Sequence, residues 1–365
     1  MKVTCNRGEL LEGLQNTARA AAVKSTMPVI EGILFRAKGS GVYLCGYNLE
    51  MGISKSIPAA CEEDGSVVLP ARVCDMIRRM PEERVEISCD ERFVVNINSG
   101  ETAFSIVGMR PDDFPELPGV NGEKSAAVPE GLLKSMIAQT FYAISASDIN
   151  PVYKGALFEI DDGNFSIITL DGYRLAVRNE NISGEGGMRF IVPGKTLQEV
   201  RQLLGESDDP VGICAAPSNI IFTVGGYHII SRLFTGDFVD YRAVFSREYA
   251  YEIRVKTADV AAAVDRVSLV NSEAHRAPIR CVFGGGKIRM TCETAVGKAD
   301  DKIPCECDFE ETVEIGFNSK YMQDAFKNVD CDEIILRILQ PDKPVQVLPP
   351  EGEHFFFLLL PVRLS

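Results

Sequence analysis

Residues 189–204 read RFIVPGKTLQEVRQLL, a short β-rich run that passes directly into a helical stretch. The same junction recurs as SVVLPARVCDMIRRM at 66–80 and as TVEIGFNSKYMQDAFKNV at 312–329. The junction recurs with a period of about 120 residues. An internal repeat of this kind indicates that one structural unit is repeated along the chain. We therefore expect the chain to contain three copies of one unit.

The sequence around each junction repeats as well. A helical stretch opens each copy, at 8–22, 129–145 and 257–270, with apolar residues three or four positions apart. A β-rich run, a Gly-containing turn and another β-rich run follow, which is typical of a hairpin. Alternating strands close each copy. The predicted order in each copy is α–βββ–α–βββ, which indicates the α+β class.

Two similar linkers separate the copies, at 108–124 and 235–249. Each linker carries an Asp-Phe pair directly after the last strand, and these pairs are Asp113-Phe114 and Asp237-Phe238. Similar linkers suggest that successive copies pack in a similar way. We predict three tandem two-helix, multi-strand domains with the bounds 1–124, 125–249 and 250–365.

The last residues of the sequence, FFFLLLPVRLS at 355–365, contain six consecutive apolar residues. A membrane-spanning helix needs about 20 apolar residues, so this run is too short to be an anchor of that kind. It occupies the place of the final strand in the third copy. Because a half-exposed strand would alternate, we expect both faces of this strand to be covered.

The composition is that of an ordinary globular protein, with 45% hydrophobic and 25% charged residues. The net charge of −14 argues against a simple nucleic-acid coat, because phosphate binding needs clustered positive charge. A local basic face on an acidic body remains compatible with it. Eleven scattered cysteines and an N-terminus without an apolar signal-peptide core lead us to expect a cytoplasmic protein.

No motif in the sequence specifies a reaction. Gly194-Lys195-Thr196 resembles the end of a phosphate-binding loop, but the required upstream glycine is Arg189, so we interpret these residues as a helix start. Cys305 and Cys307 form the only tight cysteine pair, and a zinc site needs a second close pair of ligands. We therefore expect neither a catalytic site nor a metal or other cofactor.

Basic residues recur in the second helix of each copy, about two turns apart, so that they return to nearly one helix face. Such residues are often only solvated, but recurrence in three repeats indicates a shared surface for an anionic rod contacted through its phosphates. Basic residues on or after the first helices are included in the set. The candidate DNA-facing residues are Lys24, Arg72, Arg78, Arg79, Lys134, Lys195, Arg201, Lys320 and Lys327.

The sequence resembles the bacterial sliding clamps, the β subunits of DNA polymerase III, over essentially its whole length. The resemblance rests on KSTMPVIEGILFRA (24–37), DDFPELP (112–118), LDGYRLAV (170–177), IVPGKTLQEV (191–200), EIGFNSKYM (314–322) and LPVRL (360–364). It implies a head-to-tail homodimer whose six domains form a ring around duplex DNA. It also implies a non-catalytic processivity factor that a clamp loader opens and that tethers the replicative polymerase and other proteins carrying a clamp-binding motif.

The resemblance further implies a hydrophobic pocket for partner peptides between the second and third domains. Its expected residues are Tyr153, Leu170, Gly172, Tyr173, Arg174, Leu175, Val239, Val244, Asn318, Tyr321, Leu358, Leu359, Leu360, Pro361, Val362, Arg363 and Leu364. The Phe-rich start of the final run is expected to be core, and Leu358 to Leu364 are expected to form one wall of the pocket. Phe104 and Leu269 match apolar positions of the dimer contact.

The sequence departs from the family pattern at several pocket positions. Tyr173 stands where histidine is common, and Arg276 stands where a related clamp often has an aromatic residue. Leu360 and Val362 stand where methionine is frequent in the family. Their side chains are stiffer than that of methionine, which narrows the choice of partners. Ser365 extends past the usual final leucine.

Two other functions compete with the clamp hypothesis. The first is an enzyme with a site at a domain joint, which would need a polar constellation that the sequence does not display. The second is a monomeric peptide-binding scaffold that never encircles DNA. A 40 kDa species alone in sedimentation at micromolar concentration would favour this scaffold.

Overall fold

The computed structural model describes residues 1–119, 124–182, 187–244, 248–272 and 277–364. The chain divides into two compact units. The first unit consists of Met1–Lys134 and Lys195–Leu233, and the second consists of Ser135–Gly194 and Phe234–Ser365. The middle sequence repeat therefore contributes residues to both units.

The first repeat contains two helices and eight strands. The helices are α1 (Arg7–Ala18) and α2 (Val73–Arg78). The strands are β1 (Lys2–Asn6), β2 (Gly32–Lys38), β3 (Gly41–Tyr47), β4 (Met51–Glu63), β5 (Gly65–Pro70), β6 (Arg84–Cys89), β7 (Val94–Ser99) and β8 (Thr102–Val107).

The second repeat has the same order of elements. Its helices are α3 (Glu130–Phe141) and α4 (Gly194–Leu203). Its strands are β9 (Lys124–Pro129), β10 (Gly155–Asp161), β11 (Asn164–Leu170), β12 (Arg174–Asn181), β13 (Met188–Pro193), β14 (Pro210–Ala215), β15 (Asn219–Val224) and β16 (Tyr227–Arg232).

The third repeat adds one short strand to this order. Its helices are α5 (Thr257–Ser268) and α6 (Ser319–Lys327). Its strands are β17 (Tyr251–Lys256), β18 (Ile279–Gly284), β19 (Lys287–Thr294), β20 (Gly297–Pro304), β21 (Glu306–Cys307), β22 (Val313–Phe317), β23 (Glu333–Ile338), β24 (Val345–Leu348) and β25 (Phe355–Leu359). Short 3-10 turns lie at Pro28–Glu31, Pro111–Asp113, Pro151–Lys154 and Tyr241–Val244.

The strands form antiparallel sheets that combine strands of neighbouring repeats. In the first unit a sheet follows the path β8-β7-β6-β1-β4-β16-β15-β14-β9, with β2, β3 and β5 attached to it. In the second unit one sheet has the order β13-β10-β11-β12-β25-β24-β23-β17-β21, and another has the order β20-β19-β18-β22. The pairing of β16 with β4 and of β25 with β12 therefore joins the end of one repeat to the hairpin of the preceding repeat.

The α+β prediction and the three tandem copies are confirmed, but the order within a copy needs two corrections. Four strands lie between the two helices in the first and second repeats and five in the third, where the sequence analysis expected three. A short strand (β1, β9 or β17) precedes the first helix of each repeat, where the sequence analysis began with the helix. These strands are five or six residues long and pair with residues far along the chain, for example Val3 with Ile87. The hydrophobic pattern of a short strand does not reveal such pairing, because the hydrogen bonds come from a partner strand far along the chain.

The apolar run at the end of the sequence is a buried strand, as predicted. All five side chains of β25 are buried, and the strand pairs with β12 on one side and β24 on the other. Leu360, the next residue, is 36% exposed. The interpretation of Gly194-Lys195-Thr196 as a helix start is also confirmed, since α4 begins at Gly194.

Helix α1 packs its apolar stripe onto β3 and β4 of the first unit. In the first unit Leu10 and Leu14 of α1 are fully buried against Leu44 and Ile57. At about 25 cal/mol per Å2 of apolar surface, burial of one such leucine contributes roughly 2 kcal/mol. In the described part of the chain no helix has both the length and the apolar character that crossing a bilayer requires.

Three backbone bridges show how closely the repeats agree. They join the segment after the final strand of a repeat to the strand before its second helix, at Val68↔Met109, Ile191↔Phe234 and Gly316↔Val362. In the first two repeats the chain continues into the predicted Asp-Phe pair, and Phe114 and Phe238 are both buried. The predicted similarity of the two linkers is therefore visible in the structure.

Candidate functional site

A tight turn between β11 and β12 positions the first candidate residues. The Asp171 carboxylate accepts hydrogen bonds from the backbone N–H groups of Tyr173 and Arg174 at 2.9 and 3.1 Å. Gly172 has φ +90°, a left-handed conformation that a residue with a Cβ adopts only with strain. The turn therefore holds Tyr173 outward, and its side chain is 59% exposed.

The adjacent residue, Arg174, lies in a buried ion network. Its Nε donates to Asp171 Oδ2 at 2.9 Å and its Nη1 donates to Asp324 Oδ2 at 2.6 Å. The side chains of Arg174, Asp171 and Asp324 are only 10%, 12% and 16% exposed. The guanidinium also lies 4.5 Å from the ring centroid of Tyr321 and 5.3 Å from that of Tyr142. The network therefore fixes β12 against α6 through charge and aromatic contacts.

The start of α6 places a second aromatic ring beside Tyr173. Asn318 caps the helix by accepting hydrogen bonds from the N–H groups of Lys320 and Tyr321 at 2.9 and 3.4 Å. The rings of Tyr321 and Tyr173 stack with centroids 5.9 Å apart and an interplanar angle of 25°. Burial raises the pKa of Tyr321 and, more strongly, that of Tyr142 below it. Both hydroxyls therefore stay neutral at physiological pH.

The end of the chain completes this surface. Leu359 pairs with Arg174 across the sheet, and the Leu360 N–H donates to the Tyr173 carbonyl oxygen at 2.9 Å. The segment then crosses β22, where the Val362 N–H donates to the Gly316 carbonyl oxygen at 2.8 Å. Tyr173, Tyr321 and Leu360 are thus positioned by elements that the ion network and these backbone bonds hold together. We call these three residues the aromatic–leucine surface.

The expected pocket residues fall into two groups in the structure. Leu170, Leu175 and Leu358 are buried in one apolar cluster, together with Phe238 and Tyr241. Leu359 is also buried, so within the chain these residues form a floor rather than an exposed wall. Arg174 is buried as well. The exposed members are Gly172, Tyr173, Val239, Val244, Leu360 and Arg363, while Tyr153, Asn318, Tyr321, Pro361, Val362 and Leu364 are half-buried.

Tyr153 belongs to the edge of the same cluster. Its ring packs edge-on against Phe238 with centroids 5.6 Å apart. Val239 and Val244 flank Tyr241 in sequence and are 43% and 47% exposed. An apolar floor with exposed apolar residues around it is the kind of surface that peptide anchors need.

The ion network beneath this surface was missed by the sequence analysis. Asp171 stands three residues before Arg174, which is a visible signal for a turn that holds an ion pair. Asp324 is 150 positions from Arg174, and nothing in the local sequence pattern joins them. Tyr142 was missed for the same reason.

The candidate DNA-facing residues require one correction. The helix predicted within 66–80 is only the six-residue α2, so Arg72 and Arg79 flank this helix and Arg78 is its last residue. Lys195 and Arg201 lie exposed on α4, and Lys320 and Lys327 lie exposed on α6, as predicted. Lys24 is exposed after α1.

Several of these basic residues have acidic partners. The ion pairs are Arg78–Asp75 at 2.6 Å, Lys134–Glu206 at 2.6 Å, Lys320–Asp324 at 2.7 Å and Lys327–Asp265 at 3.2 Å. Asp324 is only 16% exposed, but the other acidic partners are exposed, and exposed pairs contribute about 0–1 kcal/mol to stability.

The two expected dimer-contact residues differ in exposure. Phe104 is half-buried on β8 against the core of the first repeat, and Leu269 is 83% exposed at the end of α5. An exposed leucine of this kind is available for a contact between chains. Arg276 lies outside the described residues.

Among the residues that the structure describes, no three His, Cys, Asp or Glu side chains are grouped so as to hold a metal ion. Burial raises the pKa of Cys305 to about 12, so its thiol stays protonated at neutral pH.

We expect a methyl group at Gly316 to displace the end of the chain. A Cβ at this position would lie 2.7 Å from the Val362 carbonyl oxygen and 2.6 Å from Leu364 Cδ2, closer than real Cβ contacts occur. Gly316→Ala should therefore weaken partner-peptide binding about tenfold while the fold persists. The matched control is Gly212→Ala, since a Cβ there meets nothing closer than 3.6 Å. Equal peptide affinity of the two variants would contradict this account.

Three tandem α+β repeats of this kind are the architecture of DNA sliding clamps. A clamp from Bacillus subtilis has a similar structure, with a TM-score of 0.96, 27% identity and 100% of both chains covered. A putative DNA polymerase III β subunit from Eubacterium rectale gives a TM-score of 0.95 at 29% identity, covering 99% of both chains.

Sequence comparison defines the family. The N-terminal, central and C-terminal domains of the DNA polymerase III β subunit match residues 1–118, 127–240 and 242–363. The β sliding clamp of Staphylococcus epidermidis is 31% identical, and the alignment covers 100% of this chain and 99% of the relative. The chain belongs to the DNA polymerase III β subunit family, the β sliding clamps. The comparisons therefore place the chain among the sliding clamps of DNA replication.

Proposed function

We propose that two copies of the chain close head to tail into a ring that encircles duplex DNA and slides along it. The ring holds the replicative polymerase, and other proteins with a clamp-binding motif, at the aromatic–leucine surface. A clamp loader opens it. Leu269 and Phe104 contribute to the contact between the two copies. Family membership and the threefold repeat support this proposal.

The aromatic–leucine surface is the observation that carries the partner-binding part of the proposal. Its exposed side chains rest on a fixed base, because the Arg174 network and the Asn318 cap hold the flanking elements. A rigid apolar surface binds a peptide anchor without a large cost in ordering its own side chains. Enrichment in tyrosine and arginine is typical of residues that dominate binding energy.

Sliding requires weak contacts with DNA. A closed ring cannot leave the duplex sideways, so its phosphate contacts need not be strong. Exposed basic side chains such as Lys24, Lys195 and Arg201 attract the phosphates of DNA. The chain as a whole carries a net charge of −14. The negative body reduces non-specific adhesion, and tethering raises the effective concentration of the polymerase at the DNA.

Peptide binding by tyrosine variants tests the partner site. A fluorescein-labelled peptide with the apolar anchors of the replicative polymerase should lose about tenfold or more in affinity with Tyr321→Ala, measured by fluorescence anisotropy. Tyr249→Ala is the control, because Tyr249, although more exposed than Tyr321, also has an arginine, Arg337, 4.5 Å from its ring centroid. An equal loss in both variants, or none in Tyr321→Ala, would place the partner site elsewhere.

A further inference from the structure

The linkers that follow the first and second repeats are held in equivalent places, but they lie over strands of opposite charge. Each linker leaves its backbone bridge and buries one phenylalanine, Phe114 or Phe238, in an apolar cluster. The strand beneath is β2 in the first repeat and β10 in the second. Both strands start at a glycine after a 3-10 turn, Gly32 and Gly155, so their positions correspond one to one.

In the second repeat a carboxylate of the strand holds the linker. Glu159 accepts hydrogen bonds from Tyr241 Oη at 2.7 Å and from Arg242 Nη2 at 2.6 Å, and Arg189 Nε donates to it at 3.0 Å. Burial alone would raise the pKa of Glu159, but these hydrogen bonds hold it below its usual value. The charge on the strand is therefore balanced by the linker that covers it.

In the first repeat the charges on the strand are reversed and unbalanced. Arg36 occupies the position of Glu159, and Lys38 occupies that of Asp161. Both side chains are exposed, and within the described part of the chain neither forms an ion pair. The nearby linker residues 114–117 include one carboxylate, Glu116, which lines the same groove.

A groove of about 520 Å3 lies at this place. Its floor is the outer face of β2 and β3, where Leu34 pairs with Cys45 and Arg36 pairs with Tyr43. Its wall is the linker segment 114–117. The volume lies within the usual range of small-ligand sites, and the lining combines apolar side chains with two cations.

The counterpart of the aromatic–leucine surface in the first unit is charged rather than apolar. At the turn between β3 and β4, Glu50 and Arg232 stand where Tyr173 and Leu360 stand in the other joint, and the Arg232 N–H donates to the Glu50 carbonyl oxygen at 2.9 Å. Leu117 fills the space beside Gly52, where a Cβ would lie 2.4 Å from Leu117 Cδ2. The first unit therefore presents charged side chains at the place where the second unit presents exposed apolar side chains.

We propose that the groove lined by Leu34, Arg36, Lys38, Tyr43 and residues 114–117 is a second docking site, and that it takes an acidic peptide segment with one apolar side chain. The carboxylates of the peptide pair with Arg36 and Lys38, and its apolar side chain packs on the floor beside Leu34. The net charge of −14 disfavours non-specific adhesion of an acidic peptide, and Arg36 and Lys38 supply local attraction.

The test uses the full-length protein and a fluorescein-labelled synthetic peptide, EDLFDE, in an anisotropy titration. We expect the double variant Arg36→Glu and Lys38→Glu to lower the affinity about tenfold or more, because two ion pairs become repulsive contacts. Lys287→Glu with Lys302→Glu makes the same change in net charge on exposed strand positions of the third repeat and should leave the affinity unchanged. The neutral peptide QNLFNQ should bind at least about tenfold more weakly than EDLFDE.

Several results would overturn the proposal. One is equal loss of EDLFDE binding in both double variants, which would show that only net charge matters. Another is displacement of the peptide by inorganic phosphate at constant ionic strength, which would assign a simple anion site. Binding of a short oligothymidylate at Arg36 and Lys38 in preference to the peptide would assign a nucleic-acid contact. The variants Arg36→Gln with Lys38→Gln, which avoid added repulsion, must show a smaller loss in the same direction.

This test is independent of the partner site in the second unit. The Arg36 and Lys38 variants should bind the polymerase-derived peptide with unchanged affinity, and Tyr321→Ala should bind EDLFDE with unchanged affinity. Loss of EDLFDE binding in Tyr321→Ala would show that both peptides use the aromatic–leucine surface and would overturn the second site.

Discussion

Replacing Arg174 by alanine is expected to lower the free energy of unfolding of the second unit by about 3–5 kcal/mol. The substitution leaves the Asp171 carboxylate, which is only 12% exposed, without its cation, while Asp324, which is 16% exposed, keeps Lys320 at 2.7 Å as a partner. An uncompensated buried charge costs far more than an exposed ion pair contributes. A urea titration followed by circular dichroism, with hydrogen exchange of β12 and α6, measures the effect.

The matched control for this prediction is Arg254→Ala. Arg254 pairs with Glu333 at 3.3 Å in the same unit, but the two side chains are 41% and 38% exposed. Its removal should cost less than about 1 kcal/mol. If the two variants lose the same small amount, the Arg174 network does not hold the unit together as argued.

Deleting Leu360 to Ser365 is expected to abolish partner binding while the third repeat remains folded. The deletion removes Leu360 and the backbone bond from Val362 to Gly316, but β25 keeps its pairing with β12 and β24 and all five buried side chains. Two lost backbone bonds cost about 1 kcal/mol each. Loss of one side of the apolar surface should lower peptide affinity about a hundredfold.

Two measurements separate binding from folding in this variant. Circular dichroism should show the strand and helix content of the full chain with a modestly lower melting temperature, and peptide anisotropy should show the affinity loss. Leu360→Ala keeps the backbone bonds and should lose only about tenfold in affinity. A truncated chain with an unfolded third repeat would mean that the tail belongs to the core.

The sequence was sufficient to predict the features that depend on local pattern. The repeat, the α+β class and the start of α4 at Gly194 are local or periodic signals. The buried state of β25 followed from its unbroken apolar run, since a strand with one solvent-exposed face would alternate apolar and polar residues. The residues of the aromatic–leucine surface followed only from the resemblance to sliding clamps, and their role in binding remains a prediction.

The features that escaped prediction depend on non-local contacts. The strands β1, β9 and β17 form because distant strands complete their hydrogen bonds, and α2 ends after six residues for reasons that helical spacing alone does not report. The link between Arg174 and Asp324 joins residues 150 positions apart. The charge reversal between Arg36 and Glu159 is visible in the sequence, but its meaning needed the positions of the linkers.

Retention on circular and linear DNA is the most direct test of the proposed ring. The protein is loaded onto a closed circular duplex with its clamp loader and ATP, separated from free protein by gel filtration, and the DNA is then cut at one site. The account predicts that protein remains on the closed circle and is released when the circle is linearised, at a salt concentration that removes electrostatic binding. Equal retention on both forms, or equal release from both, would contradict topological binding and with it the proposed function.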